Sequence, residues 1–308
     1  MLPSGRIVPG VAVRADRLSD KDYAQAVLRF SSVTPENEMK WQSTEPEPGQ
    51  FSFAAADPIV AFAEQHGMRV RGHPLVWHLQ LPPWVDGSAS QMRTHIEGLV
   101  GHYKGRVAEW DVVNEALSDS GGLRNNPFLK AQGPNYIGRA FRIANMADPD
   151  ARLALNDYGA ESPDTPKGKA LYGLVQSLRA QAVPIDVVGF QTHVDPRKIV
   201  GFEQQLSRIA ALGVDVELTE VDVRLPANPT QADLDAQAVA YRRIVDACVA
   251  VPRCRGITFW GLDDGDSWIP EFFPGTGSAT LLDDQFKPKP AYEAVRQSLD
   301  GSTTHGGG

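Results

Sequence analysis

The sequence predicts an α/β fold, a single (β/α)8 barrel of the TIM-barrel type with a cleft at the carboxyl ends of its strands. Three observations predict this fold. Short β-rich runs alternate with amphipathic stretches along almost the whole chain, the runs number eight, and the unusual polar residues come where the runs end. Eight strands, each with a crossover helix, close a parallel barrel whose active sites lie at the carboxyl ends of the strands.

The predicted elements follow one another in regular alternation. The strand candidates are Ile7–Val13, Phe30–Thr34, Val70–Trp77, Val107–Asn114, Arg152–Tyr158, Val187–His193, Val214–Val221 and Gly256–Trp260. The helical patterns are Pro58–His66, Ser90–Tyr103, Tyr136–Met146, Pro166–Arg179, Glu203–Leu212, Leu234–Val249 and Pro290–Leu299. A doubly wound sheet is the rival fold, but it carries a Gly-rich phosphate turn after its first strand. The segment Gly10–Arg14 is not such a turn.

Composition excludes several classes of function. Of the 308 residues, 42% are apolar and 22% charged, which is typical of a folded globular protein. The net charge of −8 argues against a nucleic-acid partner, because such proteins concentrate Lys and Arg to neutralise phosphates. No apolar run approaches the roughly 20 residues that cross a bilayer, so we expect no membrane partner. We predict a monomer with one domain at 1–300 and a flexible polar tail at 301–308.

The N-terminus and the cysteines bear on the compartment. The segment Met1–Arg6 lacks the apolar core of a signal peptide, which leaves a cytoplasmic protein or a mature form with an added Met1. The two cysteines, Cys248 and Cys254, are close in sequence. They fit a local disulfide and hence export, but also a pair of reduced, partly buried thiols. Spacing alone leaves both interpretations open.

Polar and aromatic residues stand at six of the eight strand ends, a concentration that packing does not explain. In chain order they are Glu36, Asn37 and Lys40, then His73, Trp77, His78 and Gln80, then Asn114 and Glu115, Gln191 and His193, Glu220 and Asp222, and Trp260. In a parallel barrel all of these ends lie on one face. We therefore expect one site at that face.

Two glutamates in apolar strand sequence, Glu115 and Glu220, predict the chemistry. Their strands are three steps apart around the ring, so their carboxyls should face each other across the barrel mouth. Glycoside hydrolysis needs such a pair, one carboxylic acid to protonate the leaving oxygen and one carboxylate to attack or to activate water. Each glutamate alone is as compatible with a structural ion pair. Strand alternation places Gln191 beside His193, and Glu220 on the face of Asp222, so that His193 can orient the Glu220 carboxylate.

Tryptophans near the strand ends predict a sugar cleft, because their flat faces suit the apolar faces of pyranose rings. They are Trp41, Trp77, Trp84, Trp260 and Trp268. For any single tryptophan core packing is the commoner role. Five beside polar side chains favour a binding cleft.

From about Gly10 to Leu299 the chain resembles glycoside hydrolase family 10, the xylanases. Eight motifs carry the resemblance in the family's order: TPENEMKW, RGHPLVWHLQLPPW, EWDVVNEAL, LALNDY, VGFQTHV, VELTEVDV, GITFWGLDDGDSW and KPKPAY. The resemblance implies endo-acting hydrolysis of internal β-1,4-xylosidic bonds in xylan, without a cofactor or a metal. It also implies a retaining double displacement, with Glu115 as acid and base and Glu220 as nucleophile. Retention implies carboxyls about 5–5.5 Å apart.

The same matching implies roles for other residues. Glu36, Asn37 and Lys40 would bind the two sugars on the non-reducing side, and Asp222 would support the nucleophile. The residues expected at the reacting sugar, the nucleophile and the cleft walls are His73, Trp77, Gln80, Asn114, Gln191, His193, Trp260, Trp268 and Tyr158, with Trp84 as a further candidate. The resemblance also implies that Cys248 and Cys254 are bridged, and hence a secreted protein. Pro74 and Gly159 depart from the family's motifs and leave aglycone binding open.

Four other functions remain as alternatives. A β-1,4-glucanase on the same barrel would differ in the crowding near Trp260 and Trp268. A metal-dependent hydrolase would use His73, His78 and His193, although His73 and His78 are badly spaced for one strand. A non-catalytic sugar-binding barrel should lack one of the two glutamates. A sugar-phosphate enzyme would need a Gly-rich loop after its last strands, where three aspartates stand instead.

Overall fold

The computed structural model describes residues 1–196 and 199–303, and it confirms the predicted barrel. The barrel strands are β1 Val8–Val13, β2 Ser32–Pro35, β3 Arg69–Gly72, β4 Glu109–Asn114, β5 Arg152–Asp157, β6 Val187–Phe190, β7 Asp215–Val223 and β8 Cys254–Phe259. Each strand pairs in parallel with the next, and β1 pairs with β8 to close the ring. The carboxyl ends of all eight strands therefore surround one opening.

Helices lie between consecutive strands and after the last. They are α1 Lys21–Val27, α2 Trp41–Thr44, α3 Asp57–Gln65, α4 Ala89–His102, α5 Pro127–Gln132, α6 Tyr136–Ala147, α7 Pro166–Ala180, α8 Phe202–Ala210, α9 Gln231–Ala250, α10 Ile269–Phe272 and α11 Pro290–Thr303. The two-residue strand His193–Val194 pairs with β7, and Leu225–Pro226 pairs with Thr276–Gly277. The buried core fills the space between the strands and the helices.

Several elements differ from the prediction, and the short helices α2, α5 and α10 are among those not predicted. Helix α1 lacks a long apolar pattern and was not predicted, but the Asp20 side chain caps it by accepting from two backbone N–H groups. Strand β3 ends at Gly72, because Pro74 has no N–H to donate to a ladder. Strand β6 ends at Phe190, because Thr192 takes a left-handed φ of 65°.

The two cysteines form a disulfide, with their Cα atoms 5.4 Å apart. The bridge joins the end of α9 to the start of β8, at the opposite end of the barrel from the opening. This confirms the pairing that the family resemblance implied.

The C-terminus is partly described. Helix α11 continues to Thr303, so the first three residues of the predicted tail extend that helix. Residues 304–308 of the predicted tail lie outside the described residues. Among the helices of the described residues, none is both long enough and apolar enough to traverse a bilayer.

Candidate active site

Glu220 lies near the carboxyl end of β7 and is 5% exposed. Both of its carboxylate oxygens have partners: Oε1 accepts from Asn156 Nδ2 at 2.7 Å, and Oε2 lies 3.1 Å from His193 Nε2. Burial alone would raise the pKa of this carboxyl. The hydrogen bond from His193 and the electrostatic influence of His73 outweigh burial and lower the pKa below its usual value. Glu220 is therefore held as a carboxylate.

His193 connects Glu220 to a second carboxylate. Its Nδ1 lies 2.7 Å from Asp222 Oδ2, and Trp268 donates its indole N–H to the same oxygen at 2.8 Å. Burial opposes charge on the imidazole, but Asp222 and Glu220 raise the pKa of His193 to about 10. The site thus holds His193 as a cation between two carboxylates. Gln191 and His193 both face the site, as predicted, but the turn at Thr192 rather than strand alternation puts them there.

Glu115 follows β4 and is connected to Glu220 by amide side chains. Gln191 Nε2 donates to Glu115 Oε1 at 3.4 Å and to Asn114 Oδ1 at 3.1 Å. Asn156 Nδ2 donates to the same Asn114 oxygen at 2.9 Å as well as to Glu220. The two carboxyls therefore belong to one hydrogen-bonded network.

The pKa of Glu115 moves in the opposite direction from that of Glu220. Burial raises the pKa of the Glu115 carboxyl, and the negative charge of Glu220 raises it further. The nearby Trp77 indole N–H acts against this rise, although it does not meet hydrogen-bond geometry. Glu115 thus keeps its proton to higher pH than an ordinary glutamate while Glu220 stays ionised, the arrangement that acid catalysis beside a nucleophile needs.

His73 and Trp260 form the wall beside Glu220. His73 Nδ1 lies 2.8 Å from Asp111 Oδ2 and 3.9 Å from Glu220 Oε1. The ring of Trp260 packs edge-on against the His73 ring, with their centroids 5.2 Å apart. Both rings are buried, so their orientation is set before any ligand arrives.

A second group of predicted residues comes from the segments after β2 and β3. Lys40 Nζ donates to Asn37 Oδ1 at 2.8 Å and lies 5.1 Å from the centre of a Trp77 ring. Burial lowers the pKa of Lys40, although Glu220 and Glu36 act against this. Burial also raises the pKa of Glu36 to about 7. Gln80 is the other predicted residue here, and its backbone carbonyl accepts from the Gln42 N–H.

Tyr158 lies on the Glu115 side of the site. Its hydroxyl donates to Asp119 Oδ1 at 2.7 Å and accepts from Arg124 Nη2 at 2.8 Å. Lys167 Nζ lies 3.3 Å from the centre of the Tyr158 ring. Gly159, one of the departures from the family's motifs, has a left-handed φ of 65°, a conformation that Gly and Asn both tolerate.

The prediction for Trp41 is wrong. Its side chain is 3% exposed and stacks on the buried His95 ring, with a centroid distance of 3.8 Å. Trp41 is therefore a core residue at the packing of α2 against α4. Trp84 packs edge-on against it and donates its N–H to the Pro46 carbonyl at 2.8 Å.

The sequence prediction missed several residues that hold the site together. Asn156 is fully buried and donates to both Asn114 and Glu220, while Thr219 donates to its Oδ1 at 2.6 Å. Asn156 falls inside the LALNDY motif, and an amide in an otherwise buried strand was the available signal. Asp111 and Arg124 were also missed, because their roles depend on contacts between distant segments.

Two of the three histidines of the metal alternative, His73 and His193, are hydrogen-bonded to carboxylates. His73 bonds Asp111, His193 bonds Asp222 and Glu220, and His78 Nδ1 lies 3.6 Å from Glu115 Oε2. In the part of the chain that the structure describes, no group of three or more His, Cys, Asp or Glu side chains is arranged to hold a metal ion.

Comparison with known proteins places the chain in a family. The family model for glycosyl hydrolase family 10 matches residues 3–298. Endo-1,4-beta-xylanase A of Phanerodontia chrysosporium is 40% identical over 303 residues, which cover 94% of this chain and 74% of that protein.

Solved structures agree with this match. The crystal structure of native xylanase 10B from Thermotoga maritima has a TM-score of 0.93 at 40% identity, covering 97% of this chain and 96% of that one. Xylanase 10B from Thermotoga petrophila, solved in complex with xylobiose, has a TM-score of 0.92 at 41% identity, covering 96% and 94%. A family model that spans nearly the whole chain, with relatives this similar, identifies the protein as a member of glycosyl hydrolase family 10.

Proposed function

We propose that this protein is a retaining endo-1,4-β-xylanase in which Glu115 is the acid and base and Glu220 is the nucleophile. The observation that carries the proposal is the opposite pKa shift of two carboxyls, one buried and one partly buried, in one hydrogen-bonded network. Family membership and the xylobiose complex of the Thermotoga petrophila relative support xylan as the substrate. We expect the two carboxyls about 5–5.5 Å apart, as retention requires.

In the first step, a Glu220 oxygen attacks the anomeric carbon while the protonated Glu115 gives its proton to the leaving glycosidic oxygen. The bond to the leaving sugar breaks, and a covalent glycosyl-enzyme forms with inverted configuration at that carbon. The hydrogen bond from Asn156 to Glu220 Oε1 and the contact of Oε2 with His193 orient the carboxylate. The same contacts keep it ionised.

In the second step, Glu115 acts as a base. Forming the glycosyl ester removes the negative charge of Glu220, so one of the causes that raise the pKa of Glu115 disappears. The carboxylate of Glu115 then takes a proton from water as the water attacks the anomeric carbon. A second inversion releases Glu220, and the configuration is retained overall.

The remaining predicted residues bind the polymer in this proposal. Glu36, Asn37 and Lys40, with Trp77 beside Lys40, bind sugars on the non-reducing side. Tyr158 lies near Glu115, where the leaving portion of the chain departs. Trp260 and Trp268 pack against His73 and His193 and would crowd the hydroxymethyl group of a hexose, which favours xylose.

The stereochemistry of the product tests the proposed reaction. Linear xylan digested in an NMR tube should release the β-anomer first, with the α-anomer appearing only by mutarotation. Immediate α-anomer would contradict a double displacement. Faster hydrolysis of carboxymethylcellulose than of xylan would favour the glucanase alternative.

We also propose that residues 1–300 form a monomeric catalytic domain that acts outside the cell. The Cys248–Cys254 disulfide supports export, because such bridges persist in oxidising compartments. Gel filtration of the full chain should give a mass near 33.5 kDa. A mass twice as large would contradict the monomer.

A further inference from the structure

Glu115 stands in a backbone conformation that residues other than glycine rarely adopt. Its φ is 56°, in the left-handed region. Such a conformation persists only where the surrounding structure holds it. Its backbone N–H donates to the Asn156 carbonyl at 2.8 Å, which fixes one side of the residue to β5. The Glu115 backbone carbonyl needs a hydrogen-bond donor of its own.

Arg124 supplies that partner. The segment after Glu115 folds back on itself, with Leu117 facing Leu123 and the Arg124 N–H donating to the Ala116 carbonyl at 2.8 Å. The Arg124 side chain thereby reaches the turn. Its Nε donates to the Glu115 carbonyl at 3.2 Å, and its Nη2 donates to the Leu117 carbonyl at 2.8 Å.

The same guanidinium also contacts the cleft. Its Nη2 donates to the Tyr158 hydroxyl at 2.8 Å, and its carbon lies 5.5 Å from the centre of the Tyr158 ring. A guanidinium presents several donors in one plane, whereas a lysine ammonium is a point charge. Arg124 can therefore hold two carbonyls and a phenol in one geometry, and lysine cannot.

We propose that Arg124 is a positioning residue that holds the Glu115 backbone so that its carboxyl meets the leaving glycosidic oxygen. This inference rests on the proposed function, in which Glu115 is the acid. Arg124 does not touch the reacting atoms in this role. Its positive charge also lies close enough to Glu115 to lower the pKa of that carboxyl, against the larger effect of burial.

Rates on two substrates with different leaving groups distinguish a role in positioning Glu115 from a general role in folding. A phenyl β-xylobioside needs a proton on its leaving group, whereas a 2,4-dinitrophenyl β-xylobioside departs without one, so only the first depends on a well-placed acid. We expect Arg124→Lys and Arg124→Gln to lower kcat/KM for the phenyl substrate about tenfold to hundredfold, the range for a misplaced catalytic group. For the dinitrophenyl substrate kcat/KM should change by less than about threefold, because the attack by Glu220 does not depend on Arg124.

The pH profile gives an independent result. Glu115 must be protonated in the first step, so activity is lost as pH rises through its pKa. Arg124→Gln removes a neighbouring positive charge, which raises that pKa and moves the alkaline limb of kcat/KM to higher pH. Arg124→Lys keeps a positive charge and should move the alkaline limb less.

Arg253 offers a matched control at the opposite end of the barrel. It binds two backbone carbonyls with the same atoms, Nε to Val214 at 2.8 Å and Nη2 to Gly213 at 3.2 Å. Arg253→Lys and Arg253→Gln should leave the ratio of the two substrates unchanged. Equal losses on both substrates in the Arg124 variants, or no loss on either, would overturn the proposal.

A Glu115→Ala variant keeps this test separate from the proposed function. It should lose kcat/KM on the phenyl substrate and keep it on the dinitrophenyl substrate. If it shows no such contrast, the assignment of Glu115 itself fails. If it shows the contrast and the Arg124 variants do not, only the role of Arg124 fails.

Discussion

At the scale of single residues, Glu115 and Glu220 have the same side chain, but their neighbours shift the two pKa values in opposite directions. Glu220 has a cationic imidazole on one oxygen and an amide N–H on the other, so it stays ionised. Glu115 is partly buried near that negative charge, and its pKa rises. Asp222 affects the pKa of Glu220 indirectly, because its carboxylate keeps His193 protonated. The ionisation of Glu220 therefore depends on the charge of Asp222, which acts through His193.

Removing the charge of Asp222 tests this dependence. In Asp222→Asn, His193 loses its proton more readily, so it stabilises the Glu220 carboxylate less and the pKa of Glu220 rises. Glu220 must be ionised, and activity is lost as pH falls through its pKa, so the acid limb of kcat/KM on xylan should move up by about one pH unit. Asp57, which bonds His102 and Tyr103 outside the cleft, provides Asp57→Asn as a matched control. An unmoved acid limb would contradict this role of His193 and Asp222.

At the scale of elements, the strands were predictable and their ends were not. Runs such as Val187–Phe190 are short and apolar and begin with two β-branched valines, so their sequence alone indicates a buried parallel strand. Helix α1 escaped prediction because it has seven residues and depends on its cap at Asp20. The turn at Thr192 escaped because nothing in its sequence demands a left-handed φ; Glu161, whose Oε1 accepts from the Thr192 N–H at 3.0 Å, holds it.

The site residues likewise divide into those with a local sequence signal and those that depend on distant contacts. Glu115 and Glu220 stand out in the sequence because each is an acid near the end of a buried strand. Asn156 and Arg124 act through partners far away in sequence, so only the folded chain shows their roles. Trp41 was assigned to the cleft because the sequence does not show that a buried histidine covers its face.

The disulfide gives a prediction at the element scale. Cys248 and Cys254 are six positions apart, and closing so short a loop stabilises the fold by about 2 kcal/mol in the chain-entropy model. Reduction should lower the free energy of unfolding by about that amount in urea titrations. A variant with both cysteines replaced by alanine should not respond to the reductant. Because the bridge lies at the start of β8, kcat/KM on xylan should not change below the unfolding temperature; a parallel loss of activity would contradict this placement.

At the scale of the whole molecule, the two ends of the barrel carry different charge networks. The carboxyl ends hold the two glutamates proposed for catalysis, and a buried ion network lies toward the other end. Its centre is Arg71, whose Nη1 lies 3.0 Å from Glu109 and 3.2 Å from Glu217. Arg71 also binds Asp111, which bonds His73 in the active site. The stability of the barrel and the orientation of the site are therefore connected through one buried cation.

Removing the charge of Arg71 should lower the free energy of unfolding. Arg71→Met removes one of the two arginines from the buried acidic side chains of Glu109 and Glu217, which keep Arg152, while Asp111 keeps His73. Removing one member of a buried ion pair typically costs about 3–5 kcal/mol. Chemical denaturation should show a loss of this size. Arg106, which binds Glu64 through two nitrogens on the exposed surface, supplies Arg106→Met as the control, with a much smaller expected effect. Equal losses in the two variants would contradict a stabilising role for the buried network.

Trapping the covalent intermediate tests the proposed reaction most directly. A 2-deoxy-2-fluoro β-xylobioside with a dinitrophenyl leaving group slows both steps, but its leaving group lets the first step proceed, so the glycosyl-enzyme should accumulate. We expect time-dependent inactivation and one added fluoroxylobiosyl group, which mass spectrometry of the digested protein places on Glu220. A label on a different carboxylate, or inactivation without any label, would contradict Glu220 as the nucleophile.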